Sequence, residues 1–543
     1  MSKKVALKVN QTNLFNVLRN AFSSASVIGE LMQNARRAGA TWVAFSYDGS
    51  TLSVQDNGSG VADLQNLLTA AESGWNGQTQ IDERPFGLGF LSALYSCKEI
   101  IVQSRIEGAA EGHTFRSTTE DLLSGGALNV DPVVMAEGTI IELKGFTLHS
   151  LEGITDASIR IRIFEGEVAK AAKGFAIHVH CNGRTMERPD ALDEGFRETA
   201  VGHVRLNLKA SDGKWYLQGL PIETRGFRSS GTTVVHLDRT FQAKIPDRQH
   251  LVDIEGSRSA IGKALRDLAR TMLCEIKSTC TGETFLRLHA RDCSQWGCKD
   301  LLDDIPLALG EWFINWAESS PGCHTEFEDM ETLSGVRSKE DIEKGKVYHL
   351  AEEEFMLERC WQAVAGHYTL SGMGGTLLSN DHWLMKMARG VADAEEDGAD
   401  SFEPAIELIV NQHIGMKAVD TWNCGNLFVA ESLQLKHLPS GQVVEVEAAF
   451  DNYAIYFSRG AYPAAHVRLP SDYVGDDRHN EGAEAEAEAA FMAAHAEIIA
   501  TDPAHLLTIM LKSGAIAKNP RLAGKSFTIT FDDGGAMQAV TES

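Results

Sequence analysis

The sequence predicts an α+β protein of several domains, and three observations carry that expectation. At 543 residues the chain is too long for one ordinary core. Its composition, 43% hydrophobic and 23% charged residues, is that of a folded globular protein. Near the beginning, two helical patterns run directly into two β-rich runs joined at a tight turn, so helices and sheet are interleaved from the start.

Taken in order, the helical patterns are "NLFNVLRNAF" (13–22) and "SVIGELMQNARRAG" (26–39). In the second, Ile28, Leu31, Met32 and Ala35 share one apolar stripe, because residues three and four apart stack on one helix face. Glu30, Asn34 and Arg37 share another face, and Gly39 marks the stop. "TWVAFSYDGSTLSVQDNGSG" follows, with Asp48-Gly49 a strong hairpin signal. Residues 61–86, including "ESGWNGQTQIDERPFG", read as a mobile polar loop. "FLSALYSC" then reads as a helix, and "KEIIVQSRI" and "GTIIELKGF" as strands, which closes a first α/β unit at 1–150.

A second unit, 151–277, has strand patterns "FAIHVHCNG", "WYLQGLPIET" and "TTVVHLD" and ends in the amphipathic "GSRSAIGKALRDLARTMLCEI". Residues 278–475 form a mixed α/β region. There "DIPLALGEWFINWAE" and "FMLERCWQAVAGHY" read as helices, and "GQVVEVEAAF" and "NYAIYFSRG" as strands. A polar linker then leads into a C-terminal segment, 476–543, that starts as an acidic helix. No repeat recurs at a fixed period.

Charge divides the chain as sharply as pattern does. The net charge is −25, and Lys plus Arg against Asp plus Glu is 31 against 32 for residues 1–277 but 19 against 43 for residues 278–543. The halves therefore have different electrostatic characters. Within the first, residues 151–277 carry 20 basic and 17 acidic side chains, its only basic balance. A body this acidic repels phosphate backbones, so nucleic-acid binding would need a local basic patch.

The opening "MSKKVALKVN" has no long apolar run or cleavage signal, and nowhere do 18 apolar residues run together. The expectation is a cytoplasmic protein with no membrane span and with nine reduced thiols. His289, Cys293, Cys298, Cys323 and His324 lack metal-site spacing and are expected to be scattered structural residues rather than zinc ligands.

Four short elements carry chemistry together: "ELMQNARRAGA" (30–40), "DNGSG" (56–60), "FGLGF" (86–90) and "EGT" (137–139). In this order and spacing they resemble the Bergerat nucleotide-binding fold of the GHKL superfamily of DNA gyrase B, heat-shock chaperones, histidine kinases and MutL. The Ala-Gly-Ala-Thr ending at 38–41 looks like MutL, and "FGLGFLSALYSCKEIIVQSR" like the chaperone branch.

The resemblance implies an ATPase using ATP and Mg²⁺. Hydrolysis needs a group on the attacking water and a divalent ion against developing phosphate charge. One turn apart, Glu30 would serve the water and the Asn34 oxygen the Mg²⁺. Asp56 would accept from the adenine amino group, Gly58 and Gly60 would let the backbone approach the base, and Thr139 would add a hydroxyl on the adenine side. The turn at Gly87 and Gly89 precedes a helix and would hold phosphate. Arg37 stands where many relatives have an acidic residue. For Arg36 and Arg37, phosphate contact, a salt bridge to the loop 61–86 and plain solvated surface all remain open.

Residues 151–277 fall where this superfamily carries a transducer domain, and "FQAKIPDRQHLVD" (241–253) looks like its returning loop. Lys244 would reach the γ-phosphate as a catalytic cation, with Arg248 as substitute. Arg225 and Arg228 are further candidates for phosphate or nucleic-acid contact. The resemblance covers the first half only. It implies an ATP-driven conformational switch, a homodimer formed or closed on ATP, and a macromolecular partner that is either a protein client or nucleic acid. The alternatives are a chaperone-like remodeller and a non-hydrolysing ATP sensor. Phosphoryl transfer to histidine is disfavoured, because only about a dozen residues precede the first helical pattern.

Overall fold

A computed structural model of the chain describes residues 24–68, 89–124, 128–210, 213–222, 233–244, 249–321, 331–352, 355–391, 405–421, 424–470, 481–513 and 522–542. The expected helix at 13–22 and most of the loop 61–86 lie outside them. The chain divides into two units, residues 1–272 and 273–543.

The first unit begins with α1 (Ser24–Arg37), whose stripe Val27, Ile28, Leu31, Met32 and Ala35 is fully buried. Gly39, at φ 72°, ends it: Ala40 N–H bonds the Ala35 carbonyl and Gly39 N–H the Arg36 carbonyl, the paired bonds of a left-handed helix cap. β1 (Trp42–Tyr47) and β2 (Thr51–Asp56) form the expected hairpin, with the Asp48 carboxylate accepting from Ser50 and Thr51 N–H. After α2 (Gly89–Tyr95) come β3 (Glu99–Arg105), β4 (Gly112–Thr118), β5 (Asp131–Val133) and β6 (Gly138–Lys144).

Residues 151–185 complete this first layer instead of opening a second unit. α3 (Ala157–Ala172) packs Phe164 and Val168 into the first core, and β7 (His178–Cys181) pairs in parallel with β1 before turning into β8 (Arg184–Thr185). The sheet order is β5-β4-β3-β6-β2-β1-β7-β8. Along β3 and β6 buried positions alternate with partly exposed ones, as in a sheet with one face under helices. Arg160 ties the layer together, donating to the carbonyls of Gly49, Phe146, Leu151 and Ile154.

A second sheet of this unit has the order β12-β11-β13-β10-β9, from β9 (Arg197–Thr199), β10 (Gly202–Arg205), β11 (Gly213–Leu217), β12 (Leu220–Ile222) and β13 (Thr233–Leu237). α4 (Ile254–Thr279) covers it, burying Ile261, Ala264 and Leu268 beside Val204 and Val235.

The second unit is built on a long hairpin, β14 (Ile406–Thr421) and β15 (Cys424–His437), that the sequence reading did not anticipate. β16 (Val443–Val446), β17 (Ala448–Asp451) and β18 (Ala454–Ser458) complete its sheet. A helix at Met356–Val364 and another at Glu481–Ile499 bury Trp361 and Phe491 with Leu427, Val429 and Phe457. The acidic helix after residue 480 thus shares this core. "DIPLALGEWFINWAE" is not an α-helix: it forms the short strand Leu307–Leu309 and a single 3₁₀ turn, Gly310–Trp312. Pro306 lacks a backbone N–H, and Gly310 packs so closely on the Leu333 and Ser334 carbonyls that a Cβ would lie 2.4 Å from the former.

Candidate nucleotide site

α1 places Glu30, Asn34 and Arg37 along one face, and they differ in environment. Glu30 is buried, and Arg37 Nη1 lies 3.8 Å from its Oε2, with side-chain exposures of 2% for Arg37 and 7% for Glu30. Arg36 Nε donates to Gln33 Oε1 at 2.8 Å. Plain solvated surface is therefore not the role of Arg37. Asn34 is half-buried, and its amide has no hydrogen-bond partner among the described residues, which leaves it available to a ligand.

Asp56, Thr139 and Ser104 lie side by side across β2, β6 and β3, because Asp56 pairs with Thr139 and Ser104 with Thr139 in register. The Asp56 carboxylate accepts from Gly58 N–H at 2.9 Å. Burial pushes its pKa above the ordinary aspartate value, and the Gly58 and Thr139 N–H groups hold that rise back. Ser104 Oγ sits 3.1 Å from Thr139 Oγ1, donates to the Gly138 carbonyl, and accepts from Val61 N–H at 2.8 Å. Sequence reasoning missed Ser104. Its signal was a polar residue at the inward end of an alternating strand, after Ile100 and Val102.

The glycines make this crossing possible. At Gly58 a Cβ would lie 2.6 Å from Ala38 Cβ and 3.0 Å from Asp56 Oδ1, so the loop presses on the end of α1; Ser59 N–H also bonds the Ala38 carbonyl. At Gly60, φ 70°, a Cβ would meet the Arg105 carbonyl at 2.3 Å. The room at Gly60 is thus used by the protein's own backbone, which seats the loop on the end of β3. Asn57 holds the other side, accepting from Thr41 and Trp42 N–H.

Other residues singled out from the sequence fall elsewhere. Gly89 is the first residue of α2, while Gly87, Arg225, Arg228 and Arg248 lie outside the described residues. Lys244 is exposed in a loop closed by its N–H to the His250 carbonyl and by the Ala243–Leu251 bridge; no described contact joins it to α1 or β2. His289 bonds Asp292 at 2.8 Å, Cys293 and Cys298 are buried, and Cys323 and His324 lie outside the described residues. Among the described residues no group of three or more His, Cys, Asp or Glu could hold a metal.

A buried acid on a helix, a free amide one turn on, and Asp56 and Ser104 reached through a glycine loop all fall in the stretch that a protein-family model recognises. Residues 22–126 match the model described as histidine kinase-, DNA gyrase B-, and HSP90-like ATPase. These residues are a GHKL ATPase domain. One solved structure similar to the chain is the Aquifex aeolicus MutL ATPase domain complexed with ADP, at 17% identity and a TM-score of 0.25, covering 37% of this chain and 84% of that one. No curated protein matches the chain. The GHKL domain contributes α1, the β1–β2 hairpin and the strand that carries Ser104; Thr139 reaches it from β6, beyond the matched stretch. Among the described residues no helix is long and apolar enough to cross a membrane.

Proposed function

We propose that the protein is an ATP-dependent conformational switch that hydrolyses ATP slowly with Mg²⁺. The observation that supports this best is a juxtaposition: Glu30 and Asn34 on one helix face, and Asp56, Thr139 and Ser104 in one row, joined by a loop that packs on both. The donor set suits the ligands. Asp56 offers a carboxylate to the adenine amino group, with Thr139 beside it. Asn34 offers one free amide oxygen, which suits Mg²⁺, an ion that keeps several waters and takes its remaining ligands from phosphates. Bound there, Mg²⁺ would neutralise charge developing on the β- and γ-phosphates.

In the step itself Glu30 takes a proton from water as the water oxygen bonds to the γ-phosphorus. The bond to the β-phosphate oxygen breaks and ADP leaves. Arg37 keeps the Glu30 carboxylate in one orientation, and Gly87, Gly89 and Lys244 supply contacts to the phosphates. ATP binding would then bring two protomers together or close one on a protein or nucleic-acid partner, within the cytoplasm. The free thiols of all described cysteines suit that compartment.

A second reading, a sensor that binds ATP without hydrolysing it, is favoured by the same ion pair, since Arg37 engages the carboxylate that should meet water. Phosphate release from the wild type and Glu30→Ala, beside light-scattering mass with no nucleotide, ADP and a non-hydrolysable ATP analogue, separates the two. Turnover lost in Glu30→Ala with binding retained supports hydrolysis; nucleotide-dependent mass without turnover in the wild type supports the sensor.

A further inference from the structure

Between Glu30 and Asn34 lies Gln33, a polar residue with no solvent exposure. Its Nε2 donates to the Gln218 carbonyl at 2.7 Å, and its Oε1 accepts from Arg36 Nε at 2.8 Å. The amide's orientation is fixed by its partners, because a carbonyl can only accept and a guanidinium only donate. Gln218 and Gly219, at φ 54° and 82°, are the left-handed tip of the β11–β12 hairpin in the second sheet.

That tip is fitted closely on two sides. On α1, a Cβ at Gly29 would lie 2.9 Å from Leu220 Cδ1. Beyond the end of α3, a Cβ at Gly219 would lie 3.1 Å from the Gly174 carbonyl, and one at Gly174 would fall 2.3 Å from the Tyr216 ring. Tyr216 is itself pinned by donating to the buried Asp190 carboxylate at 2.7 Å. Gly29 and one buried amide thus let the hairpin rest directly on the helix that carries Glu30 and Asn34. Successive residues on a helix point 100° apart, so fixing Gln33 fixes the directions of both neighbours.

We propose that Gln33 is a positioning residue for the nucleotide site, tying the rotational setting of α1 to the β11–β12 hairpin of the second sheet. The inference rests on the hydrolytic reading above. It makes the second sheet a determinant of turnover through α1, apart from the phosphate contact of Lys244, while adenine binding at Asp56 and Thr139 stays independent of it.

The test measures steady-state ATP turnover, equilibrium binding of a non-hydrolysable ATP analogue and thermal melting on the full chain. Gln33→Leu should lower kcat on the order of 10- to 100-fold, the cost of misplacing a reacting group slightly. Measured without Mg²⁺, analogue affinity should stay within about threefold, since the adenine contacts at Asp56 and Thr139 are untouched. Gly29→Val keeps Gln33 but adds branched bulk against Leu220 that a turn of that side chain alone does not clear, so it too should lower kcat, and Gly29→Val/Leu220→Ala should restore it. Unchanged kcat in Gln33→Leu, or a parallel loss of affinity and turnover in both single variants, overturns the proposal. If Gln33→Leu does not fold, unchanged kcat in Gly29→Val overturns it. A wild type without turnover overturns the hydrolytic reading and this inference together, whereas wild-type turnover with insensitive variants overturns the inference alone.

Discussion

Arg37 and Glu30 stand two turns apart on one helix, guanidinium to carboxylate at 3.8 Å and almost wholly out of solvent. Removing one member of such a pair takes from the other, which stays buried, the opposite charge it faces, and that costs more than the pair itself contributes. Arg37→Ala should therefore lower the stability of the first unit by about 3 kcal/mol, and Glu30→Ala/Arg37→Ala by less than the two single losses together. Urea denaturation of the four proteins checks this; additive losses would show that the two side chains do not interact.

Asp56 accepts from adenine only as a carboxylate, and burial raises its pKa. Nucleotide affinity should consequently fall as pH drops through that raised pKa, beginning at a higher pH than an ordinary aspartate would give. Affinity measured from pH 7 to pH 4 tests the sign. A flat profile over this range would show that the Asp56 charge state does not matter to binding.

Ser104 satisfies Val61 N–H and sits against Thr139 at the inner end of the row. Ser104→Ala leaves a half-buried donor without its acceptor, a loss of about 1 kcal/mol, and frees the loop that carries Gly58 and Gly60. The expected outcome is affinity weaker by about tenfold, since 1.4 kcal/mol is one decade. Titration of the variant with the ATP analogue reads this directly, and wild-type affinity would remove Ser104 from the site.

In the second unit His382 is fully buried, and its Nδ1 accepts from Leu384 N–H at 3.1 Å as the cap of a five-residue helix. Burial lowers its pKa from 6.5 to about 4. A histidine held neutral in the fold costs nothing above its unfolded pKa, and the penalty grows as pH falls from about 6.5 to about 4. This unit should lose stability across that window, and His382→Asn should flatten the loss. Hydrogen exchange at residues 383–387 as a function of pH follows it; a pH-independent local stability would contradict the assignment.

The chain's local signals were legible where spacing and turn chemistry act within a few residues. α1, its Gly39 stop, the Asp48-Gly49 hairpin and the strands that carry Asp56 and Thr139 are where the pattern puts them. Pairing between distant segments was not. The parallel pairing of Val43 with Val179 draws residues 151–185 into the first layer, and nothing in either strand alone specifies that partner. Ser104 and Gln33 are polar residues in apolar surroundings, whose roles depend on carbonyls and hydroxyls brought from 34 to 185 residues away. The 16-residue strand Ile406–Thr421 has few clear alternations, because much of it is only partly covered.

The most direct test of ATP recognition is calorimetric titration of the full chain with a non-hydrolysable ATP analogue and Mg²⁺, wild type beside Asp56→Asn. Saturable binding of one nucleotide per chain is expected in the wild type and none in Asp56→Asn. No binding to the wild type, or equal affinity in the two proteins, would contradict it.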